Sequence, residues 1–180
     1  MEAKKISDGE LLLLKEYRRG DELALRKLIQ RYERLVFSLV LYLASCDRDR
    51  AFSVTAFCFV RAMRSLDSVR REGDFLEKLL RLALEECRSI PRAPKFDLSD
   101  FENRPPHKKE ALRVMKQALA SLSFDHKKLI LLRDQFHLAY QDIASVSGLS
   151  EKETKIQTIH ARVQLQDKVK EIMEPPEAAL

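Results

Sequence analysis

The chain has 180 residues, of which 45% are hydrophobic and 34% charged, and its formal net charge of +5 gives a pI near 9.1. This length suits one large domain or two small ones, and the mildly basic balance is compatible with nucleic-acid binding without establishing it. Only four glycines and no strand-like alternation of apolar residues predict an all-α protein. With no secretory signal and no apolar run long enough to cross a bilayer, we expect a cytoplasmic protein without membrane insertion.

Metal and catalytic chemistry find no support in the sequence. Cys46, Cys58 and Cys87 are odd in number and far apart, so neither a disulfide framework nor a zinc site is indicated, and free thiols are expected. The four histidines lack metal-ligand spacing, and no glycine-rich loop could cradle a phosphate. We therefore expect a protein that is not an enzyme and that has no cofactor, no metal site and no catalytic residues.

The first two helices are predicted from their ends. Ser7 is a candidate N-cap with Glu10 at the capping-box position, and Gly20 ends this first helix. Asp21 is the N-cap of a second helix, in which apolar residues recur with helical spacing over residues 23–43.

A third helix, over residues 49–66, is apolar nearly all round, so it lies centrally in the core or is covered by a partner. Burial in the core is the stronger expectation for Phe57 and Phe59 than for Phe52. A fourth helix begins at Gly73 and ends before Pro91.

Residues 91–107 contain four of the six prolines and predict an extended linker. We therefore place one helical domain at residues 1–90 and a second at residues 108–173, followed by a short tail at 174–180. The second domain contains two amphipathic helices before the pattern described next.

The pattern that begins at Tyr140 is typical of a helix-turn-helix. A short helix contains the small Ala144, and Gly148 can adopt the positive φ of a tight turn. Ser150 and Glu153 then form a capping box at the start of a second helix, which would be the DNA reader. The alternative is an ordinary pair of antiparallel helices in a helical core.

The order of these parts resembles a known family. In the first half the matching residues are Glu10-Leu-Leu, Arg19-Gly-Asp-Glu-Leu-Ala24, Leu28, Arg31-Tyr32 and Val36. In the second half they are Leu119, Leu122, Leu129-Ile-Leu-Leu-Arg133, Tyr140-Gln-Asp-Ile-Ala144, Gly148-Leu-Ser150, Lys155, Ala161-Arg162 and Leu165. The chain resembles the extracytoplasmic-function (ECF) sigma factors, which direct bacterial RNA polymerase to promoters. The resemblance implies two helical domains, called regions two and four, with core RNA polymerase and promoter DNA as partners. It leaves open an anti-sigma factor as a further partner.

The resemblance also implies DNA-binding residues in region four. Those that lie where family members face the major groove are Lys152, Glu153, Lys155, Gln157 and His160. Lysine and glutamine can reach base edges, whereas Arg162 and either Lys127 or Lys128 would hold phosphates. For each of these residues the alternative is a solvated surface side chain.

Region two departs from the family where it docks on the polymerase. The family carries Ala-Glu-Asp and then a glutamine, whereas here Phe52 and Ser53 follow Ala51, and Ala56 stands at the glutamine position. Phe59 matches. The residues implied in polymerase binding are therefore Phe52, Ser53, Ala56 and Phe59, without the acidic pair.

A second departure concerns promoter melting. Lys78-Leu79 and Glu85 replace the family's Trp-Leu pair and asparagine, and the chain has no tryptophan. Because unstacked bases are usually held by an aromatic platform, a second hypothesis stays open. In it, the protein is a divergent sigma-like regulator or protein-interaction module that does not itself melt promoters.

The rotation of the last helix is ambiguous in the sequence. Thr154 and Thr158 occupy positions where the family prefers apolar residues, and Ile156, Ile159 and Val163 form an apolar stripe instead. The helix either keeps the family register or is rotated. A rotated helix would expose Lys152, Lys155, Thr158 and Arg162 on one face.

Overall fold

The computed structural model describes residues 9–90 and 106–174, with the backbone alone for residues 106–108. Over these residues it confirms the all-α prediction. The α-helices are α1 (Glu10–Arg18), α2 (Glu22–Ala44), α3 (Arg48–Met63), α4 (Asp74–Ser89), α5 (Pro106–Ser121), α6 (Phe124–Ile130), α7 (Tyr140–Ser147) and α8 (Glu151–Met173).

The predicted helix boundaries agree with the structure within a few residues, while the predicted linker over 91–107 lies outside the described residues except at 106–107, where α5 has begun. Asp21 is the N-cap of α2, and its carboxylate accepts a hydrogen bond from the Leu23 N–H at 2.8 Å. The expected cap at Ser7 lies outside the described residues, and α1 begins after Gly9, at φ 108°. The predicted helix over 125–137 is also interrupted, because α6 widens into a π-helical turn at Leu131–Gln135.

A buried carboxylate ties the first, second and fourth helices together. Tyr32 Oη donates to Glu10 Oε2 at 2.8 Å, and the Phe75 N–H donates to Glu10 Oε1 at 3.0 Å. Since Gly73 offers no side chain at the N-terminus of α4, Glu10 supplies that cap. Glu72 reciprocates by accepting from the Glu10 N–H at 3.0 Å. Burial raises the pKa of the Glu10 carboxyl above its ordinary value.

Helix α3 packs on this core through three small side chains and one phenylalanine. Ala51, Cys58, Phe59 and Ala62 are buried, so the expectation that Phe59 is a core residue is confirmed. The expectation that Phe57 is buried was wrong. Its ring lies at the surface, 5.6 Å from the Arg61 guanidinium, because position 57 is on a different side of α3 from the buried Ala51 and Ala62.

The cysteines are free thiols, as expected. Cys58 and Cys87 are buried, and burial raises the pKa of each thiol to about 12. Cys46 is partly buried. At neutral pH these groups are protonated and behave as small apolar side chains.

The second half is a smaller bundle in which α5 and α6 pack against α8. Its own buried cluster consists of Leu122, Ile130 and Ala161, with Leu119 and Leu165 against it.

The two halves are in contact through one continuous apolar core. Leu129, Leu132 and Ile143 of the second half belong to the same buried cluster as the residues of α2 and α4. Polar links surround it. Arg81 Nη2 donates to the Ser145 carbonyl at 2.5 Å, and Arg88 pairs with Asp125 at 3.1 Å.

Two lysines expected to hold phosphates lie inside this junction. Lys127 is 1% exposed, and its Nζ donates to Ser45 Oγ at 3.2 Å. Lys128 is also buried and donates to Asp125 at 2.9 Å. The sequence expectation for Lys127 or Lys128 is therefore wrong for this arrangement of the halves, because neither ammonium faces solvent.

Candidate nucleic-acid interface

The turn between α7 and α8 has the geometry that the sequence predicted. Gly148 ends α7 at φ 70°, and its N–H donates to the carbonyl of the buried Ala144. The Glu153 N–H donates to Ser150 Oγ at 3.2 Å, and the Ser150 N–H donates to Glu153 Oε2 at 2.9 Å. The predicted capping box is therefore confirmed, and it fixes where α8 begins.

Helix α8 has the family register and not the rotated one, because its threonines face the core. Thr154, Thr158 and Ala161 are buried. Thr154 Oγ1 donates to the Ser150 carbonyl at 2.9 Å, and Thr158 Oγ1 donates to the Thr154 carbonyl at 2.6 Å. Since each hydroxyl is satisfied within the helix, its methyl group is free to pack against the core. The rotated register, with Thr158 exposed, is wrong.

The outward face of α8 is consequently apolar along its centre. Ile156, Ile159 and Val163 are 44%, 55% and 50% exposed, so the apolar stripe that they form faces outward. Lys152 lies on the same face, and it makes no hydrogen bond or ion pair with any residue that the structure describes. His160 is exposed beside them.

One flank of α8 is basic and is organised around Tyr140. The Lys155 ammonium lies 5.7 Å from the ring centroid and the Arg133 guanidinium 4.4 Å from it. Arg162 donates from Nε and Nη2 to the two carboxylate oxygens of Asp134, which raises the pKa of the arginine further. Each cation is thus held in place at the surface, where a phosphate could replace or join its present partner.

The opposite flank contains Glu153 and Gln157. Hydrogen bonds from the Ser150 side chain and backbone lower the pKa of the Glu153 carboxyl, so this residue is ionised and committed to the cap. Gln157 is half-buried. Of the residues predicted to face DNA, Lys152 and His160 point outward, while Lys155 and Arg162 lie on the basic flank.

Sequence reasoning left open whether Ile156 and Ile159 are surface residues of this face. The sequence does indicate which side of α8 faces outward, because the capping box at Ser150 marks where the helix begins and the small Ala161 marks its inward side. Counting in helical steps from these positions puts residues 156 and 159 outward.

A second exposed face lies on α3. Phe52 is 69% exposed, and Ala56, Phe57 and Val60 are exposed on the same side of the helix. Ser53 is exposed and donates its hydroxyl to the Asp49 carbonyl at 2.9 Å. Phe59, by contrast, points into the core, so little of its surface is available to a partner. Phe57 and Val60 were not among the residues that the resemblance implied in polymerase binding.

The side chains at the end of this face are paired. Arg61 bonds Glu86 at 2.8 Å and lies 3.5 Å from Glu85, so the two acids are partly neutralised.

Over residues 9–90 and 106–174, no group of His, Cys, Asp and Glu side chains is arranged to hold a metal ion. In the same part of the chain, no helix is both long and apolar enough to span a membrane.

These features define an all-helical protein that presents a long, capped helix after a tight turn. No protein-family model matches the chain. In fold it is similar to CnrH in the structure of CnrH in complex with the cytosolic domain of CnrY. The TM-score is 0.70 and the identity 21%, over 89% of this chain and 96% of that one.

The relatives in sequence indicate a more specific class of protein than the similarity in fold does. The chain is 26% identical over 182 residues to the ECF RNA polymerase sigma-E factor of Haemophilus influenzae. The matched region covers 89% of this chain and 95% of that protein. It is 25% identical over 184 residues to the protein of the same name in Escherichia coli K12, with 90% and 95% covered. These similarities confirm the resemblance to ECF sigma factors along most of the chain.

Proposed function

We propose that this chain is an ECF-type sigma factor that binds core RNA polymerase and directs it to promoters, with α8 reading duplex DNA. The observation that carries the proposal is the orientation of α8. Its capping box, buried threonines and glycine turn hold it as a rod whose outward side is free of contacts with the described part of the chain.

The residues around α8 divide by the type of contact they can make. Lys155, Arg162 and Arg133 lie on the flank beside Tyr140, where cations suit the phosphates at the edge of a groove. Lys152 and His160 face outward and can reach base edges. Gln157 reaches the groove only from its half-buried position, and Glu153 only by leaving its cap.

The α3 face is the surface that we assign to the polymerase. Phe52, Ser53 and Ala56 occupy the docking positions of the family, and Phe57 and Val60 extend the same face. An exposed aromatic and aliphatic face of this kind is typical of protein contacts. Phe59 contributes by supporting α3 from inside the core.

We include an anti-sigma factor among the proposed partners. The family resemblance implies such a partner, and the structural neighbour CnrH is bound to the cytosolic domain of CnrY. The present arrangement keeps α4 and α7 in contact, with the outward faces of α3 and α8 both exposed.

The decisive experiment combines core RNA polymerase with the purified chain. We expect co-elution with the polymerase and run-off transcription from a promoter selected by the assembled enzyme. Lys155→Ala and Arg162→Ala should weaken promoter binding without affecting co-elution. Failure of the chain to associate with core polymerase would contradict the proposal.

A second candidate function is a sigma-like regulator that does not melt promoters. It is favoured by the absence of tryptophan and by the α3 face, where Phe52 and Ser53 replace an acidic pair. In this case the double substitution Phe52→Glu with Ser53→Asp should create polymerase binding that the parent lacks. If the parent already binds tightly and the double variant binds less, the regulator hypothesis is excluded.

A further inference from the structure

The centre of the outward face of α8 is formed by branched aliphatic side chains, which polar base edges do not attract. Ile156 and Ile159 lie three residues apart and near the N-terminal end of the helix, between Lys152 and Lys155 on one side and His160 on the other. Exposed β-branched side chains weaken a solvated helix, and a polar residue would serve solubility better at both positions.

The surroundings of these two isoleucines match a duplex better than a protein surface. The stripe is narrow, with Lys152 on the same face and Lys155 on one flank. The nearby acids are already engaged, Glu151 with Lys155 at 2.6 Å and Glu153 in the helix cap. A stable protein interface buries roughly 800 Å² on each partner, far more than two isoleucines supply. The basic flank complements phosphates instead.

The major groove displays one apolar group on the edges of unmodified bases, the C5-methyl of thymine. Helical side chains lean toward the N-terminus of their helix, so both isoleucines lean toward the end of α8 that enters a groove in helix-turn-helix complexes. Their separation along the axis, about 4.5 Å, is close to one base-pair step of about 3.4 Å.

We propose that Ile156 and Ile159 are specificity-determining residues that read the methyl groups of neighbouring thymines in the promoter element. This inference rests on the proposed function, since it concerns the same helix. The DNA sequence bound by this chain should therefore contain thymines at fixed positions facing α8. Each methyl should contribute about fourfold to affinity, because burying one methyl-sized group is worth about that ratio.

The test replaces thymine by deoxyuridine, which removes the methyl and leaves the hydrogen-bonding edge intact. Duplexes are first selected from a random-sequence pool by the full chain assembled with core RNA polymerase. The selected duplex is then prepared with deoxyuridine at each constant thymine in turn, and with deoxyuridine at variable positions as a control. Affinity is measured by fluorescence anisotropy.

We expect about a fourfold loss at the thymines facing α8 and no loss at the control positions. The double variant Ile156→Ala with Ile159→Ala should bind thymine and deoxyuridine duplexes equally. The matched variant Val163→Ala, which shortens an equally exposed side chain one turn further along, should retain the discrimination.

The outcomes separate the inference from the proposed function. If the duplex is selected and bound but deoxyuridine has no effect, thymine reading is wrong while the sigma-factor function stands. If the double variant instead loses assembly with the polymerase, the stripe is a protein contact, and the inference is again wrong. If no duplex is selected by an assembled complex, DNA reading by α8 fails together with the inference.

Discussion

The two halves of the molecule hold an exposed helix in different ways. In the first half, α3 lies on a broad apolar core that also contains the buried carboxylate of Glu10. In the second half, α8 lies on a small cluster around Leu122, Ile130 and Ala161, and polar links do much of the positioning. These links are the capping box, the threonine hydroxyls and the pair between Arg162 and Asp134.

The exposed faces differ accordingly. The face of α3 is broad and aromatic and suits an interface formed by excluding water. The face of α8 is narrow and bordered on one flank by cations, which suits an interface with a large contribution from charge. The comparison suggests that the first half docks as a rigid block and that the second half reads through a rod whose rotation depends on a few hydrogen bonds.

The largest effect is expected from Glu10→Ala in the first half. Removing this carboxylate leaves the Phe75 N–H and the Tyr32 hydroxyl without partners in the core, which should lower the free energy of unfolding by about 3 kcal/mol. Denaturant unfolding measures the change. Glu33→Ala, at an exposed position of α2, is the control and should change stability by less than about 0.5 kcal/mol. Equal effects of the two substitutions would show that Glu10 is not the central link described here.

The same residue predicts a pH dependence. Because burial raises the pKa of Glu10, the folded state holds its proton more tightly than the unfolded chain does. The resulting stabilisation is fully present below the ordinary glutamate pKa of 4.5 and is lost as pH rises through the folded-state pKa. In Glu10→Gln this component should be absent. A stability difference between parent and variant that does not vary with pH would contradict the assignment.

Salt should separate the two faces. If Arg133, Lys155 and Arg162 each neutralise one phosphate, affinity for DNA should fall about 40-fold between about 50 and 200 mM salt. Association of α3 with polymerase should change much less, since burial of its apolar face is not screened. Parallel titrations of promoter binding and polymerase binding provide the measurement. Equal salt slopes would remove the distinction between the faces.

Gly148→Ala tests how strictly the turn positions α8. At φ 70° an added Cβ meets no neighbour, so only backbone strain of about 1 kcal/mol is expected, together with weaker DNA binding. Gly20→Ala is a matched control, because Gly20 also has a positive φ and open space around it. It should cost similar stability and leave DNA binding intact. Equal loss of DNA binding in both variants would mean that the turn has no special role.

The smallest effect is expected from Thr158→Val. The hydroxyl bonds only the Thr154 carbonyl within the helix, and valine fills the same space, so stability should change by less than about 1 kcal/mol. Thr55→Val in α3 is the counterpart, since Thr55 is buried and donates to the Ala51 carbonyl at 2.7 Å. Neither substitution should alter DNA binding, measured by anisotropy. A change with Thr158→Val alone would indicate that this side of α8 reaches the duplex.

The helices and the turn were predictable because they depend on local chemistry. Asp21, Gly148 and the box formed by Ser150 and Glu153 act within a few residues of themselves. The rotation of α8 was ambiguous because threonine is polar by composition yet apolar on one side once its hydroxyl bonds the preceding turn.

Long-range packing explains the other differences between the sequence predictions and the structure. The burial of Lys127 depends on contact with Ser45 at the end of α2, 82 residues away along the chain, and the exposure of Phe57 depends on which side of α3 packs on the core. Neither relation produces a periodic pattern of residues in the sequence. The role of Glu10 as the cap of α4 is also a long-range relation, since its hydrogen bond to Phe75 joins residues 65 positions apart.

The ammonium of Lys127 has a consequence for any movement of the halves. When the halves separate, water returns to this charge, which favours separation, and water also reaches Leu129 and Ile143, which opposes it. The two hydration terms have opposite signs, and they add to the polar links that Arg81, Arg88 and Lys127 make across the junction. A substitution of Lys127 by methionine would remove the first hydration term together with the hydrogen bond to Ser45 and leave the second, so its effect on the contact between the halves measures how much hydration of the ammonium opposes that contact.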